Sequence, residues 1–348
     1  FKVGDDNPTY FTADIAANHD GNLERAKELI YKCAEAGANA AKFQNFFAET
    51  IVSDAGFREL GVKQSHQSNW EKPVFEVYND ASVPLEWTKE LRDTCDDAGV
   101  DYFTSPYDID SIPLLSKYVA AWKLGSGDIT WHEIISAMAS QEKPFFVATG
   151  ASSMDEVRAA VEVASSYTDK LCLMQCNTNY TGSIENFNYI ELNVLQTYSK
   201  LFPEVVLGLS DHTPGCVTVL GAVSLGAKAI EKHFTDDTSR KGPDHLFSMD
   251  PSSWSEMVDR TRELEMALGT GKKRIMENES ETIVLQRRAI RTNKDLPIGH
   301  KISREDISLL RPCPVTALPP YEVNNVVGKR LKNDFKKNHL LRLEDLCE

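Results

Sequence analysis

Short runs of apolar residues alternate with amphipathic stretches along most of the chain, from about residue 10 to about residue 270. A short apolar run bounded by turn residues predicts a buried strand, and apolar residues spaced three and four apart predict a helix. The predicted strands span residues 11–17, 40–43, 102–105, 121–124, 145–148, 171–176, 205–209 and 229–232. The predicted helices span residues 24–36, 85–98, 111–118, 133–139, 155–165 and 217–225.

Strands that alternate with helices call for a parallel sheet, because a helix carries the chain back to the start of the next parallel strand. Eight such units favour closure into a TIM (β/α)8 barrel, so the predicted fold class is α/β. A doubly wound open sheet is the alternative. No Gly-x-Gly-x-x-Gly follows the first predicted strand, which counts against a dinucleotide-binding version of that sheet.

After Gly271 the alternation of apolar and amphipathic stretches gives way to polar and charged residues, which indicates two domains. Residues 1–271 are predicted to form a catalytic barrel, residues 272–288 a polar linker and residues 289–348 a small second domain. We expect this small domain to dock on a barrel, because so short a chain has a marginal core of its own. Residues 46–82 interrupt the alternation as a long polar insertion that contains Trp70 and Tyr78.

Composition argues against several classes of function. The net charge of −14 and the pI near 5.1 disfavour nucleic acid as a partner, since phosphate backbones are bound by basic surfaces. No apolar run reaches the ~18 residues of a membrane span. The opening Phe1-Lys2-Val3-Gly4 shows no signal-peptide pattern, and the lack of an initial Met indicates a trimmed or partial sequence. The seven cysteines include no Cys-x-x-Cys pair, which favours reduced thiols in a cytoplasmic protein.

Polar residues follow the predicted strands at the end of a TIM barrel where active sites lie. Lys42 and Lys123 stand within apolar strands, and small polar residues follow each of them. A lone lysine in a strand usually lies on a solvated surface. Two lysines on separate buried strands favour a site that neutralises the phosphate and carboxylate of one small anion. A Schiff-base lysine is the rival interpretation.

His212 and His233 end adjacent predicted strands and are candidate ligands of a divalent cation. Imidazoles combined with oxygen ligands and open positions suit Mn²⁺ better than a closed zinc site, and such a cation polarises an aldehyde as a Lewis acid. The alternative for each is a structural histidine. His19 lies in a turn and either stabilises that turn or contacts a substrate. No role in the site is assigned to His66, His132 or His245.

Carboxylates near the same strand ends are candidates for proton transfer, since Asp and Glu act as general acids and bases when their pKa is tuned. Each has an alternative role as the salt-bridge partner of a nearby lysine. The candidates are Asp14, Asp128, Glu231 and Asp244.

Taken in order, several strings in the chain resemble the sialic acid synthase family, and the match covers nearly the whole chain. In the second domain, Asp295-Leu296, Gly299, Leu310-Arg311-Pro312 and Gly328-Lys329 resemble the antifreeze-like domain that follows the barrel in this family. The matching barrel segments are Ala13-Asp14-Ile15-Ala16-Ala17-Asn18-His19-Asp20-Gly21, Lys42-Phe43-Gln44, Ser105-Pro106, Lys123-Leu124-Gly125-Ser126-Gly127, Ala148-Thr149-Gly150, Gly208-Leu209-Ser210-Asp211-His212-Thr213, Ile230-Glu231-Lys232-His233-Phe234-Thr235, Gly242-Pro243-Asp244 and Ser248-Met249.

The resemblance implies a TIM barrel followed by a small antifreeze-like α+β domain, in an enzyme that condenses phosphoenolpyruvate with N-acetylmannosamine and releases phosphate. It implies a divalent metal on His212 and His233, with Mn²⁺ expected and Mg²⁺ or Co²⁺ as alternatives. It also implies a domain-swapped homodimer in which Arg311 reaches the N-acetyl group of the sugar bound by the other subunit. The implied phosphoenolpyruvate contacts are Lys42, Ser105, Lys123, Ser126, Thr178 and Ser210. The implied catalytic and sugar contacts are Asp14, Gln44, Asp128, Tyr180 and Asp244.

Two residues depart from the family pattern. The family usually has Glu at the positions of Asp14 and Asp128, so each carboxylate here is one methylene shorter on the side where the sugar binds. A rival within the class makes legionaminic or pseudaminic acid from a diacetamido-hexose. Two further alternatives are a Schiff-base pyruvate aldolase and a non-catalytic sugar-binding protein.

Overall fold

Eight parallel strands close into a barrel in the structure, a computed structural model that describes residues 2–4, 7–61, 67–68 and 70–348. Each strand pairs with the next along the chain, and the last pairs with the first to complete the ring. The α/β TIM-barrel prediction is therefore confirmed. The strands are β1 Tyr10–Asp14, β2 Ala40–Asn45, β3 Asp101–Pro106, β4 Ala121–Leu124, β5 Phe145–Ala148, β6 Leu171–Cys176, β7 Val206–Asp211 and β8 Ala229–His233.

Helices connect the strands and pack on their outer faces. The α-helices of the first 269 residues are α1 Leu23–Glu35, α2 Ala48–Ile51, α3 Asp54–Glu59, α4 Val74–Ala81, α5 Thr88–Ala98, α6 Ser111–Leu115, α7 His132–Ala139, α8 Met154–Ser165, α9 Val194–Leu201, α10 Val217–Ser224 and α11 Pro251–Leu268. Short 3₁₀ helices span Ala16–His19, Leu85–Trp87, Ser126–Asp128, Ile184–Tyr189 and His245–Phe247. No helix in the described part of the chain is long and apolar enough to cross a membrane.

Three local predictions need correction. The first strand ends at Asp14 rather than at residue 17, because the backbone turns at Ala16 (φ 45°) into a 3₁₀ helix. Helix α6 stops at Leu115 instead of continuing to residue 118. The pattern also missed α9 and α11. Only three residues of α11 are fully buried over its 18 residues, so its apolar stripe is thin.

Side-chain alternation divides the barrel interior into two layers. Residues near the start of the strands form an apolar plug, while inward-facing residues nearer the strand ends are polar or charged. The inward-facing groups that can bind a ligand therefore lie toward the carboxyl end of the barrel. The plug consists of Tyr10, Ala40, Phe103, Ala121, Phe146, Cys172, Met174 and Ala229.

The insertion after β2 folds into helices α2, α3 and α4 and contributes a wall at the carboxyl end of the barrel. Phe46, Trp70 and Tyr78 bring aromatic rings together there, with centroid distances of 5.6 Å for Phe46–Tyr78 and 6.3 Å for Trp70–Tyr78. The prediction for His66 lies outside the described residues.

Residues Thr270–Glu348 form a second compact unit with a small core of its own, around Ile290, Ile302 and Leu341. The stretch predicted as a linker, 272–288, carries helix α12 rather than being wholly irregular. The elements are α12 Ser280–Gln286, α13 Val323–Val326, 3₁₀ helices Glu277–Glu279, Arg304–Asp306, Pro320–Glu322 and Leu343–Asp345, and strands β9 Ala289–Thr292, β10 Ile307–Leu310, β11 Arg330–Leu331 and β12 Leu346–Cys347, paired antiparallel as β9–β10 and β11–β12. All seven cysteines of the chain are free thiols.

Candidate active site

Two buried lysines share one carboxylate at the floor of the barrel mouth. Lys42 on β2 and Lys123 on β4 are each 2% exposed, and both ammonium nitrogens lie 3.0 Å from Oε1 of Glu231 on β8. Lys42 also lies 2.7 Å from Oδ2 of Asp14, its neighbour in the β1–β2 register. The Ser210 hydroxyl donates to the same Glu231 oxygen at 3.2 Å. The strand order thus gathers both cations around one point.

Charge pairing offsets the effect of burial on Glu231 and Lys42. Burial raises the pKa of Glu231, but the ammonium groups of Lys123 and Lys42 outweigh it and bring the pKa to about 2. Burial lowers the pKa of Lys42, and the carboxylates of Asp14 and Glu231 reverse that effect and raise it. Within the described part of the chain Lys42 meets two carboxylates and Lys123 one, so both ammonium groups keep N–H donors for a ligand.

Two histidines stand side by side above this cluster. His212 directly follows β7 and His233 ends β8, and their ring centroids are 5.4 Å apart. The Nδ1 of His212 donates to the Asn177 carbonyl at 2.9 Å, because a carbonyl oxygen can only accept, and this leaves Nε2 with a lone pair. His233 places Nε2 3.6 Å from Asp14 Oδ2.

Both imidazoles are neutral and available as ligands. Burial lowers the pKa of each ring to about 3, and the neighbouring His233 ring and Lys42 ammonium add to the shift for His212 and His233 respectively. The buried Nδ1 of His233 has no hydrogen-bond partner among the described residues. The described residues contain no cluster of three or more His, Cys, Asp or Glu side chains that could hold a metal ion by themselves. The two neutral imidazoles fit a divalent cation that takes its other ligands from oxygen atoms at open positions.

A cavity of about 180 Å³ lies against the lysines and histidines. Tyr180 packs over His212 with a centroid distance of 4.2 Å. Gln44 donates to Asp14 at 3.1 Å, and Asp244 accepts from the Ala17 amide at 3.0 Å. The side chains of the insertion close the opposite wall, so one side of the cavity is charged and the other is largely apolar. This insertion wall consists of Phe46, Ile51, Trp70, Val77, Tyr78 and Ala81.

Two family models match this chain, one over the barrel and one over the second unit. The description "NeuB family" covers residues 29–273, and the description "SAF domain" covers residues 287–346. The chain belongs to the NeuB family. The resemblance noted in the sequence is thus confirmed, including the small domain that follows the barrel.

Characterised members of the NeuB family align over nearly the whole chain. The N,N'-diacetyllegionaminic acid synthase of Legionella pneumophila is 36% identical over 347 residues, 97% of this chain and 94% of that protein. The human N-acetylneuraminate-9-phosphate synthase is 29% identical over 94% of this chain and 90% of its own length. Among solved structures, the sialic acid synthetase of Leptospira borgpetersenii superposes with a TM-score of 0.71 at 27% identity, over 81% of this chain and 93% of that one.

Most site residues predicted from the sequence line this one cavity. They are Asp14, Lys42, Gln44, Lys123, Ser126, Tyr180, Ser210, His212, His233 and Asp244. The alternative assigned to the carboxylates also applies in part, because Asp14 and Glu231 are ion-paired with the lysines. No lysine pairs with Asp128 or Asp244 in the described part of the chain. The structure does not place His132 or His245 at the cavity: His245 bonds through both ring nitrogens, and His132 is exposed.

Four predicted residues do not line the cavity. Ser105 is buried beside Gln44 in the β2–β3 register, and its hydroxyl has no partner among the described residues. Thr178 stands just behind the wall, against Gly150. Asp128 is half-buried, and burial raises its pKa to about 6. Arg311 is exposed in the second unit, and its predicted role across a dimer stays a prediction.

The cavity is also lined by Glu231, Tyr107 and Pro243, whose places in it the sequence did not predict. Glu231 was a candidate for proton transfer, but its place between the two lysines was not foreseen. Alternation offered a signal, because Glu231 and His233 are two residues apart on one strand and must face the same side. Tyr107 and Pro243 lie in loops, where no periodic pattern marks a direction.

Gly150 provides a steric test of the part of the cavity that Ser126 lines. Its amide donates to the Ser126 hydroxyl at 2.9 Å, and an added Cβ would lie 2.5 Å from Thr178 Cγ2 and 2.9 Å from Ser126 Oγ. Gly150→Ala should therefore cost about 1–3 kcal/mol of stability, as overpacked cores do, and raise the KM for the anionic substrate. Urea unfolding and steady-state kinetics measure both. Gly127→Ala is the control, since nothing lies within 4 Å of its Cβ; equal effects in both variants would refute the steric argument.

Asp244 provides a test based on pH. Burial, reinforced by the nearby Asp14 charge, raises its pKa to about 7. The folded protein therefore holds a proton that the unfolded chain has released, and stability from this group is lost as pH rises toward 7. Asp244→Asn mimics the neutral form and does not titrate. The free energy of unfolding of this variant, minus that of the native chain, should therefore increase between about pH 5 and 8.

Chemical unfolding at both pH values measures this gain. The exposed Asp259→Asn is the control and should track the native chain. A difference between Asp244→Asn and the native chain that does not change with pH would show that the Asp244 pKa is not raised.

Proposed function

We propose that this chain is a synthase that condenses phosphoenolpyruvate with an acetamido-hexose and releases phosphate. The observation that carries the proposal is the convergence of two charged lysines and two neutral imidazoles on one cavity of the barrel mouth. N-acetylmannosamine is the expected acceptor, which would make the product N-acetylneuraminate. Relatives named as synthases of N,N'-diacetyllegionaminic acid, pseudaminic acid and N-acetylneuraminate-9-phosphate support the reaction class.

Lys42 and Lys123 are proposed to bind phosphoenolpyruvate. Their remaining N–H donors face a cavity in which the Ser126 and Ser210 hydroxyls also lie. Charge-assisted contacts of this kind are about twice as strong as neutral hydrogen bonds. The net charge of −14 repels an anionic substrate, so the two lysines must outweigh that repulsion locally. Their burial helps, because the attraction between opposite charges is stronger away from water.

His212 and His233 are proposed to hold a divalent cation, Mn²⁺ in the first instance and Mg²⁺ or Co²⁺ as alternatives. When bound, such a cation polarises a carbonyl oxygen as a Lewis acid. The hydrogen bond from His212 to the Asn177 carbonyl fixes that ring and leaves its other nitrogen free for the metal. Tyr180, packed over His212, shields the ring from water.

In the proposed reaction, C3 of the enolpyruvate attacks the aldehyde carbon of the open-chain sugar and forms the new C–C bond. Water then adds at C2, and phosphate leaves with cleavage of its C–O bond. The two lysines stabilise the negative charge on the phosphate and carboxylate as it redistributes. Asp14, Gln44 and Asp244 are positioned to orient the sugar, and the carboxyl of Asp244, with its pKa near 7, can exchange a proton at neutral pH.

A second acceptor has a specific observation in its favour. The Legionella relative, at 36% identity, is named for diacetyllegionaminic acid, so a diacetamido-hexose is the rival substrate. The apolar insertion wall is compatible with either sugar. The domain-swapped homodimer, the role of Arg311 and the cytoplasmic location stay predictions.

The test is a phosphate-release assay with phosphoenolpyruvate, Mn²⁺ and a panel of acetamido-hexoses, run with and without chelator. Release that depends on one sugar supports the proposal and identifies the acceptor. No release with any sugar would contradict it. A covalent adduct on Lys42 or Lys123 after borohydride treatment with pyruvate would instead indicate a Schiff-base aldolase.

A further inference from the structure

One buried ion pair lies on the outer face of the barrel strands, where the strands pack against the helices. Along the eight strands, all of which the structure describes, Asp211 and Lys232 are the only charged residues that face the helices rather than the cavity. They are paired in the β7–β8 register, 2% and 1% exposed. Lys232 Nζ lies 2.5 Å from Asp211 Oδ2 and 2.6 Å from the Thr213 carbonyl oxygen.

Both side chains of the pair make further hydrogen bonds to neighbouring residues. The Asp211 carboxylate accepts from the amide and hydroxyl of Thr213 and from the hydroxyl of Thr218 on α10. Lys232 therefore bonds both to the last residue of β7 and to the loop that follows it. Together these bonds fasten the end of β7, the start of its loop and β8 into one unit.

Stability alone is a weak reason for such a pair. Two charges removed from water lose much of their hydration, and an ion pair of this kind is often no more stable than well-packed apolar residues of similar volume. The outer faces of the other strands are built from apolar and uncharged residues, and they pack on helices without an ion pair. The pair needs a reason that is particular to β7 and β8.

That reason lies one residue further along each strand. His212 directly follows Asp211, and His233 directly follows Lys232, and alternation points both rings into the cavity. A bond between the two outward side chains thus fixes the backbones that carry the two imidazoles. Elsewhere among the described residues, no two neighbouring barrel strands carry a histidine each at the cavity.

We infer that Asp211 and Lys232 are positioning residues that set the separation of the His212 and His233 imidazoles and thereby the affinity of the site for a divalent cation. The inference rests on the proposed metal site. A pair of ligands binds a cation tightly only when both lone pairs reach it without distortion, and loss of supporting contacts around metal ligands typically costs 10–100-fold in affinity.

The experiment uses the full chain stripped of metal with chelator and titrated with Mn²⁺ alone, with free Mn²⁺ followed by electron paramagnetic resonance. The variant is Asp211→Asn/Lys232→Met, which removes both charges together and so avoids an unpaired buried charge. We expect its Kd for Mn²⁺ to rise at least about ten-fold. Thr218→Val removes one supporting bond and keeps both charges, and we expect a smaller rise of about two- to five-fold, below the range for loss of a whole supporting partner.

The matched control is Arg262→Met/Glu265→Gln, a partly buried ion pair that ties α11 to Thr9 at the opposite end of the barrel. It should lower the unfolding midpoint without changing the Kd. Native affinity in the folded double variant would overturn the inference while leaving the metal site intact. If that variant does not fold, native affinity in Thr218→Val would overturn it. Absence of Mn²⁺ binding by the native chain would overturn the metal assignment itself and this inference with it.

Discussion

Replacement of His212 or His233 by alanine is expected to abolish Mn²⁺ binding and to lower turnover about a thousand-fold. Among the described residues, His212 and His233 are the only histidines that line the cavity, so either loss leaves a single imidazole ligand. A Lewis-acid cation contributes several kcal/mol to a polarised transition state, and each 1.36 kcal/mol is a factor of ten in rate. Phosphate release in the presence of phosphoenolpyruvate, the accepted sugar and Mn²⁺ measures the effect.

The control for these variants is His132→Ala, because His132 is exposed at the start of α7 and away from the cavity. It should retain native turnover and native Mn²⁺ binding. Circular dichroism of each variant checks that the barrel is intact. Full activity in either His212→Ala or His233→Ala would reject the metal assignment.

Lys123→Met should lower kcat/KM for phosphoenolpyruvate about 10²–10³-fold, the range observed when one charge-stabilising donor is removed from an active site. The fold should tolerate the change, because Glu231 keeps its contact with Lys42 at 3.0 Å and is not left unpaired. The KM for the sugar should change much less, since Lys123 is proposed to bind phosphoenolpyruvate and not the sugar. Initial rates with each substrate varied in turn separate the two effects.

Lys143→Met is the matched control. Lys143 is also partly buried, but it bonds only to the Val119 carbonyl among the described residues, at the start of β5 and remote from the cavity. Its removal should leave both KM values unchanged. A raised KM for the sugar together with a native KM for phosphoenolpyruvate in Lys123→Met would show that Lys123 does not bind phosphoenolpyruvate.

The periodic pattern predicted the strands well, because a barrel strand is a short apolar run with polar flanks on both sides. The strands at 121–124, 145–148 and 171–176 begin and end at the observed residues. Helix α11 was missed for the opposite reason, since most of its surface faces solvent and its signal is sparse. Its start was nevertheless marked by Asp250 as N-cap and by Pro251 in the first turn.

The candidate site was predicted unevenly, in a way that follows from geometry. Residues within or directly after strands were found, because alternation and the carboxyl-end rule together give their direction. Ser105 and Asp128 obey the same rule but do not reach the cavity. Asp128 lies in the 3₁₀ turn Ser126–Asp128 beyond the end of β4, where strand alternation no longer sets the direction of a side chain.

The amino-acid sequence by itself determined the number and order of the strands, the polar layer at their carboxyl ends and the family to which the chain belongs. These properties are local, because they depend on spacing within one strand or one short motif. Tertiary structure alone decided which polar residues meet: that Glu231 serves both lysines, that Asp211 and Lys232 join two strands behind the histidines, and that the insertion closes the cavity. Distances between strands depend on closure of the barrel and on the register of each pair, and no periodicity along a single strand encodes them.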